Sequence, residues 1–138
     1  MFDRLLVAFD GSEHAMRAFD MALQIAVADE AEVVVLSVAQ PAEPATMVET
    51  SAAIDAATEH FEQQFLELRK KAEVRGVALR TKVAVGHVAD QIIRAAAEEN
   101  ADMIVMGHRG KSLVQRWLLG SVSKRVISYA PCSVLIAR

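Results

Sequence analysis

Arg4-Leu5-Leu6-Val7-Ala8-Phe9-Asp10-Gly11-Ser12 is a continuous apolar run that stops at a turn signal. From Ser12 onward the apolar residues fall at Ala15, Ala18, Phe19, Ala22, Leu23 and Ala26, which is helical spacing with Ser12 placed as the N-cap. The same strand-then-helix unit recurs down the chain. Glu32 to Ala39 is β-branched and unbroken, as a strand buried on both faces should be. A loop with Pro41 and Pro44 follows, then a helix carrying Ile54, Ala57, Phe61, Phe65, Leu68 and Ala72 that stops at Gly76. Val77 to Val85 reads as a strand with some polar alternation, hence near an edge. Gly86 opens a helix with Val88, Ile92, Ala95 and Ala96 facing inward. Ala101 to Met106 is another buried strand. Ser121 is expected to cap a last helix with Val122, Val126 and Tyr129 on one side, and Pro131 leads into a fifth strand ending at Ala137.

Strand–helix alternation over the whole chain predicts one α/β domain, residues 1–138, built on a doubly wound parallel sheet of five strands with four helices. In such sheets a ligand sits beyond the carboxyl ends of the strands, where the winding reverses. Two strand ends carry unusual chemistry: the first, with Asp10-Gly11-Ser12, and the fourth, from Gly107 onward. The chain holds 138 residues, 53% of them hydrophobic, enough for a core without covalent staples. Its one cysteine, Cys132, excludes an internal disulfide and reads as a buried thiol. Charged residues interrupt the apolar start, and no run approaches a membrane span, so a cytoplasmic protein with no membrane contact is expected. Charge is uneven: from Met103 to Arg138 there are six Lys or Arg and no acid, whereas all 18 acidic residues precede that stretch. Either the basic segment meets an anion, or the two parts attract each other across the fold.

The segment Gly107-His108-Arg109-Gly110-Lys111 through Leu119-Gly120-Ser121 holds half of the six glycines. It follows a buried strand and ends at a helix N-terminus. Glycines let backbone N–H groups turn toward a ligand, and a helix start adds unpaired N–H groups and a positive dipole end. Ser121 and Ser123 add hydroxyls, and His108, Arg109, Lys111 and Arg116 add positive charge. The bland alternative is a set of ordinary turn glycines, but a connection of this length in a compact domain is more often functional. A P-loop is excluded, because the glycine it needs five residues before Gly110 is Val105. The dinucleotide fingerprint is absent after the first strand.

The pattern Gly107-x2-Gly110-x9-Gly120-Ser121, with Asp10-Gly11-Ser12-Glu13, the helix start at Gly86-His87-Val88 and the terminal Pro131-Cys132-Ser133-Val134-Leu135-Ile136, resembles the ATP-binding members of the universal stress protein family over the whole chain. The resemblance implies strand order 3-2-1-4-5 in a Rossmann-like sheet. It places Asp10 at the adenine and ribose end, Val38 and Met106 on the base, and Gly107, Gly110, Gly120, Ser121, Val122 and Ser123 on ribose and phosphates. It also implies ATP as ligand, Mg or Mn on the phosphates, and a homodimer paired through the last strand. Where related chains often carry serine after the first motif glycine, this one carries His108.

Other residues read more plainly. Asp10 is a turn former or ligand-orienting group rather than a catalytic acid. His14, His60, His87 and His108 show no metal-ligand spacing. Trp117 is equally a cover over the ligand or a packing residue, and Gln40 to Ser51 is expected to form a partial lid. No catalytic base, orienting partner and phosphate-metal ligand can be assigned together, so a regulatory or stress-response nucleotide binder is expected, with at most slow ATP hydrolysis. The alternatives are a slow ATPase or phosphotransferase and a non-catalytic dimeric interaction module, with an unidentified protein partner possible in each. Nucleic-acid binding is disfavoured by a pI near 5.8 and the lack of interleaved aromatics.

Overall fold

The computed structural model describes residues 1–40, 47–109 and 119–138. These residues form β1 (Arg4–Ala8), α1 (Glu13–Asp29), β2 (Glu32–Ala39), α2 (Met47–Arg75), β3 (Leu79–Val85), α3 (Val88–Glu98), β4 (Met103–Gly107), α4 (Ser121–Tyr129) and β5 (Ser133–Ala137). The strands lie in the order β3-β2-β1-β4-β5 and every pairing is parallel. The predicted order and Rossmann-like architecture are therefore what the chain adopts.

Alternation along each strand divides the core between two faces. Leu5, Val7, Val33, Val35 and Val105 pack with Ala18, Phe19, Leu23, Phe65 and Leu68 under α1 and α2. Leu6, Val34, Leu36, Ile104 and Met106 pack with Ile92, Ala95, Ala96 and Val126 under α3 and α4. Ser12 caps α1 as expected, its hydroxyl accepting from Ala15 N at 3.1 Å. Gly76 ends α2 at a φ of +69°, which favours glycine.

Three sequence readings need correction. Met47 to Ser51, read as the end of the partial lid from Gln40, are the opening turns of α2, whose 29 residues span about 43 Å and outrun the sheet; residues 41–46 of that segment lie outside the described residues. Consequently only Phe65, Leu68 and Ala72 of α2 are fully buried, while Ile54 and Ala57 sit above the core. Tyr129 is 65% exposed and packs instead under the Arg125 guanidinium, 5.3 Å from the ring centre.

The amino ends of the strands are tied by charge. Arg80 donates to Glu32 at 2.7 Å and to Glu99 at 2.6 Å, and Lys82 donates to Glu99 at 3.0 Å. Arg4 donates to the Glu99 carbonyl at 2.6 Å, and Asp102 accepts from the N–H groups of Asp3 and Arg4 at 2.7 and 2.9 Å. The Arg80 and Lys82 hydrogen bonds hold the Glu99 carboxyl below its ordinary pKa. A lowered carboxylate pKa contributes stability that is complete above the unfolded value of about 4.3 and is lost as pH falls through the folded value. Glu99→Gln should therefore cost about 1–2 kcal/mol near neutrality and flatten the acid limb of the stability profile. Thermal unfolding followed by circular dichroism from about pH 3 to pH 7 checks this; a variant with an unchanged acid limb would remove Glu99 from the account.

Candidate functional site

The first turn past β1 is built locally. Asp10 Oδ1 accepts from Ser12 N at 2.9 Å, and Gly11 takes a φ of +85° to let the chain enter α1. Of the two roles open to Asp10, the turn role is thus directly visible. Across the reversal point, His108 N donates to Ala137 O at 2.6 Å, which holds the exit of β4 against β5.

Between the carboxyl ends of β1 and β4 lies a cavity of about 230 Å³. Its apolar lining comes from Ala8, Leu36, Val38, Ile92 and Met106. Asp10, Ser12, Gly107 and Arg109 line it from the two strand exits, and Gly120, Ser121, Val122 and Ser123 from the start of α4. Eight of the nine sequence-selected site residues therefore meet at one cavity; the ninth, Gly110, falls with Lys111, Arg116 and Trp117 in residues 110–118, outside the described residues.

The chemistry at three of these positions departs from the expected roles. Gly107 is glycine because α1 passes close by: a Cβ there would lie 2.6 Å from His14 Cβ and 2.8 Å from its carbonyl carbon. Gly120, not Ser121, is the N-cap of α4, with a φ of −63° that any residue can adopt. Its N–H donates to His108 O at 3.1 Å, and as a glycine it offers the first-turn N–H groups of α4 no side-chain cap. Ser123 is 2% exposed and donates its hydroxyl to the carbonyls of Gly107 at 3.1 Å and His108 at 3.4 Å. That proton is committed to the main chain, so Ser123 braces the loop exit and is not a free hydroxyl donor, whereas Ser121 is exposed.

The basic excess also divides. Arg125 donates to Asp90 at 2.9 Å and joins α4 to α3, as the mutual-attraction reading requires. Arg109 lines the cavity, as the anion reading requires. Cys132 is half-buried, and burial pushes its thiol pKa up, away from nucleophilic behaviour. Among the described residues no three His, Cys, Asp or Glu side chains gather as metal ligands, and no helix is long and apolar enough to cross a membrane.

Sequence reasoning missed Leu36, Val88 and Ile92 as lining residues. Their signal was present but ambiguous, since an apolar residue at a strand's carboxyl end or on a helix's inner face looks the same whether it faces a core or a cavity.

The model of the Universal stress protein family matches residues 1–138. The universal stress protein YxiE of Bacillus subtilis is 34% identical over 148 residues, covering 100% of both chains. Among solved structures, hypothetical protein MJ0577 superposes with a TM-score of 0.90 at 28% identity, covering 99% of this chain and 96% of that one. A universal stress protein in complex with cAMP superposes with a TM-score of 0.72 at 26% identity, covering 99% and 97%.

Proposed function

This chain belongs to the universal stress protein family, and we propose that its cavity binds an adenine nucleotide, with ATP the expected ligand. The observation that carries the proposal is the start of α4: a helix N-terminus with glycine at its N-cap, lining a mostly apolar cavity at the reversal point of a parallel sheet. The volume of about 230 Å³ lies below the roughly 300–1,000 Å³ usual for small-molecule pockets, so the cavity takes the base and ribose and leaves the phosphates at its mouth, by the start of α4. Val38 and Met106, with Leu36 and Ile92, offer an apolar slot for the base. Asp10 faces the ribose hydroxyls. Gly107, Gly110, Gly120, Ser121, Val122 and Ser123 frame ribose and phosphates, chiefly through backbone N–H groups, and Mg or Mn accompanies the phosphates. The cAMP-bound relative supports the ligand class.

The role we assign is regulatory, in a stress response, with hydrolysis at most slow. Asp10 is engaged in its turn, and the Ser123 hydroxyl is engaged with the main chain, which leaves neither poised to activate water. The test is mass spectrometry of ligand released from protein purified without added nucleotide, followed by calorimetric titration with ATP, ADP and AMP. Recovery of an adenine nucleotide with saturable rebinding is expected; no released nucleotide and no heat with any of the three overturns the reading.

We assign homodimerisation to β5. It is an edge strand of apolar sequence, Ser133–Ala137, with Val134, Leu135 and Ile136 all half-buried in the isolated chain. Such an edge presents unpaired backbone groups to a second copy. Val134→Lys should shift sedimentation from dimer toward monomer. A dimer of undiminished stability in that variant would place the interface elsewhere.

A further inference from the structure

β2 carries a single hydroxyl in an otherwise apolar interior. From Val33 to Ala39 every residue is apolar except Ser37, which is 0% exposed. Its neighbours Leu36 and Val38 both line the cavity. Strand alternation turns Ser37 to the opposite face, the one that Val33 and Val35 present to α1 and α2. Taking a hydroxyl out of water costs free energy unless it is hydrogen-bonded, and Ser37 Oγ donates to Phe9 O at 2.7 Å. Phe9 itself lines the cavity and immediately precedes Asp10.

That bond falls where β1 leaves the sheet. The last pairing of β1 with β2 sets Ala8 against Leu36, and Phe9 N donates to Leu36 O at 2.9 Å. The acceptor that follows, Phe9 O, is met by the Ser37 side chain. Beyond it, Asp10 Oδ1 accepts from Ser12 N and Gly11 takes a φ of +85°, so Asp10 to Ser12 form one closed turn. The start of α1 fixes one end of this turn through the Ser12 cap, and Phe9 fixes the other. Oδ1 is committed to the turn, so Oδ2 is the oxygen left for a ligand hydroxyl. Its position follows from where Phe9 O is held.

We propose that Ser37 is a positioning residue of the ligand site: by holding Phe9 O it fixes the Asp10 carboxylate at a ribose hydroxyl, and so sets how strongly the site prefers a ribonucleotide to its deoxy analogue. The inference rests on the nucleotide reading above. Ser37 acts through Asp10 and does not touch the ligand, because its side chain lies on the far face of the sheet. A charge-assisted hydrogen bond depends steeply on distance and angle. A small drift of Asp10 therefore weakens that one contact and leaves those to the base and phosphates in place. Loss of the Ser37 hydroxyl shows as lost discrimination between sugars rather than as a general loss of affinity.

The test is calorimetric titration of the full chain with AMP and with its 2′-deoxy and 3′-deoxy analogues, in the wild type, Ser37→Ala and Ser37→Thr. The wild type should prefer AMP to at least one deoxy analogue by about tenfold or more, as a hydrogen bond to a carboxylate allows. In Ser37→Ala that ratio should fall toward one, with AMP weakened and the deoxy analogue little changed. Ser37→Thr keeps a hydroxyl and should keep the ratio. Should the alanine variant fail to fold, Ser37→Cys, close in size but a weak donor, is read in the same way. In an Asp10→Ala background, Ser37→Ala should have no further effect on AMP affinity. The melting midpoint falls in Ser37→Ala whatever the ligand does, since the Phe9 carbonyl loses its partner, whereas the sugar ratio moves only if Asp10 moves. If AMP and the deoxy analogues weaken equally, or the ratio survives without the hydroxyl, Ser37 serves the sheet alone; this inference is overturned and the nucleotide site stands. If the wild type binds all three ligands alike, Asp10 is not at the ribose, with the same consequence. If the wild type binds none of the three, both readings fail together.

Discussion

Gly107→Ala is expected to lower the thermal unfolding midpoint by about 5–15 °C, and Gly107→Val to abolish a cooperative transition at physiological temperature. The reason is steric and local. A Cβ at this position falls 2.6 Å from His14 Cβ and 2.8 Å from His14 C, and backbone cannot swing aside as a long side chain can. Nor can α1 retreat, because Ala18, Phe19, Ala22 and Leu23 fix it on the sheet. Forcing one methyl into such a contact typically costs about 1–3 kcal/mol, and a branched side chain costs more, against a total domain stability of about 5–15 kcal/mol. Circular dichroism melting of the two variants checks this. An alanine variant that melts with the wild type would mean that α1 is less firmly seated than its buried face implies.

Gly120→Val should leave the fold largely intact and remove detectable ATP binding. The backbone at Gly120 does not require glycine, and the nearest atoms to an added Cβ are Arg109 Cα and the His108 carbonyl oxygen, both at 3.5 Å. Alanine therefore fits, and Gly120→Ala is the control that should melt close to wild type and retain binding. Both substitutions lose the same modest N-cap preference of glycine, and valine differs by its γ-methyl groups, which intrude at the cavity wall in front of the first turn of α4. Calorimetry at protein concentrations well above the wild-type dissociation constant distinguishes the outcomes. If valine binds ATP as alanine does, the phosphates do not rest on this helix start. If both variants lose binding, the ligand touches the Gly120 backbone more closely than the cavity outline suggests.

These two glycines illustrate how far the sequence could be read. Their spacing, with Ser121, pointed to residues that line the cavity at the reversal end of the sheet. The reasons for them were not legible: Gly107 answers to a helix 93 residues earlier in the chain, a contact that no local pattern encodes. The N-cap reading slipped by one residue because Ser121 has the side chain that a cap normally uses, whereas the fold leaves the cap bare at Gly120. Strand order was implied by the family resemblance, while the strands themselves were visible as β-branched runs such as Glu32–Ala39. What failed along α2 and α4 was extent. Helical period places Ile54 and Tyr129 on an inner face, but only tertiary context tells where the sheet beneath that face ends.

The charged ties among Arg4, Glu32, Arg80, Lys82, Glu99 and Asp102 all lie at one end of the sheet, and the cavity lies at the other. Holding strand register and lining the cavity are thereby given to different residues, separated by the full length of the strands. Substitutions around Asp10, His108 or Gly120 can accumulate without loosening the ties that align β1, β2 and β3. A protein arranged in this way is evolvable at one rim: lineages descending from it can reshape the cavity while inheriting the same scaffold.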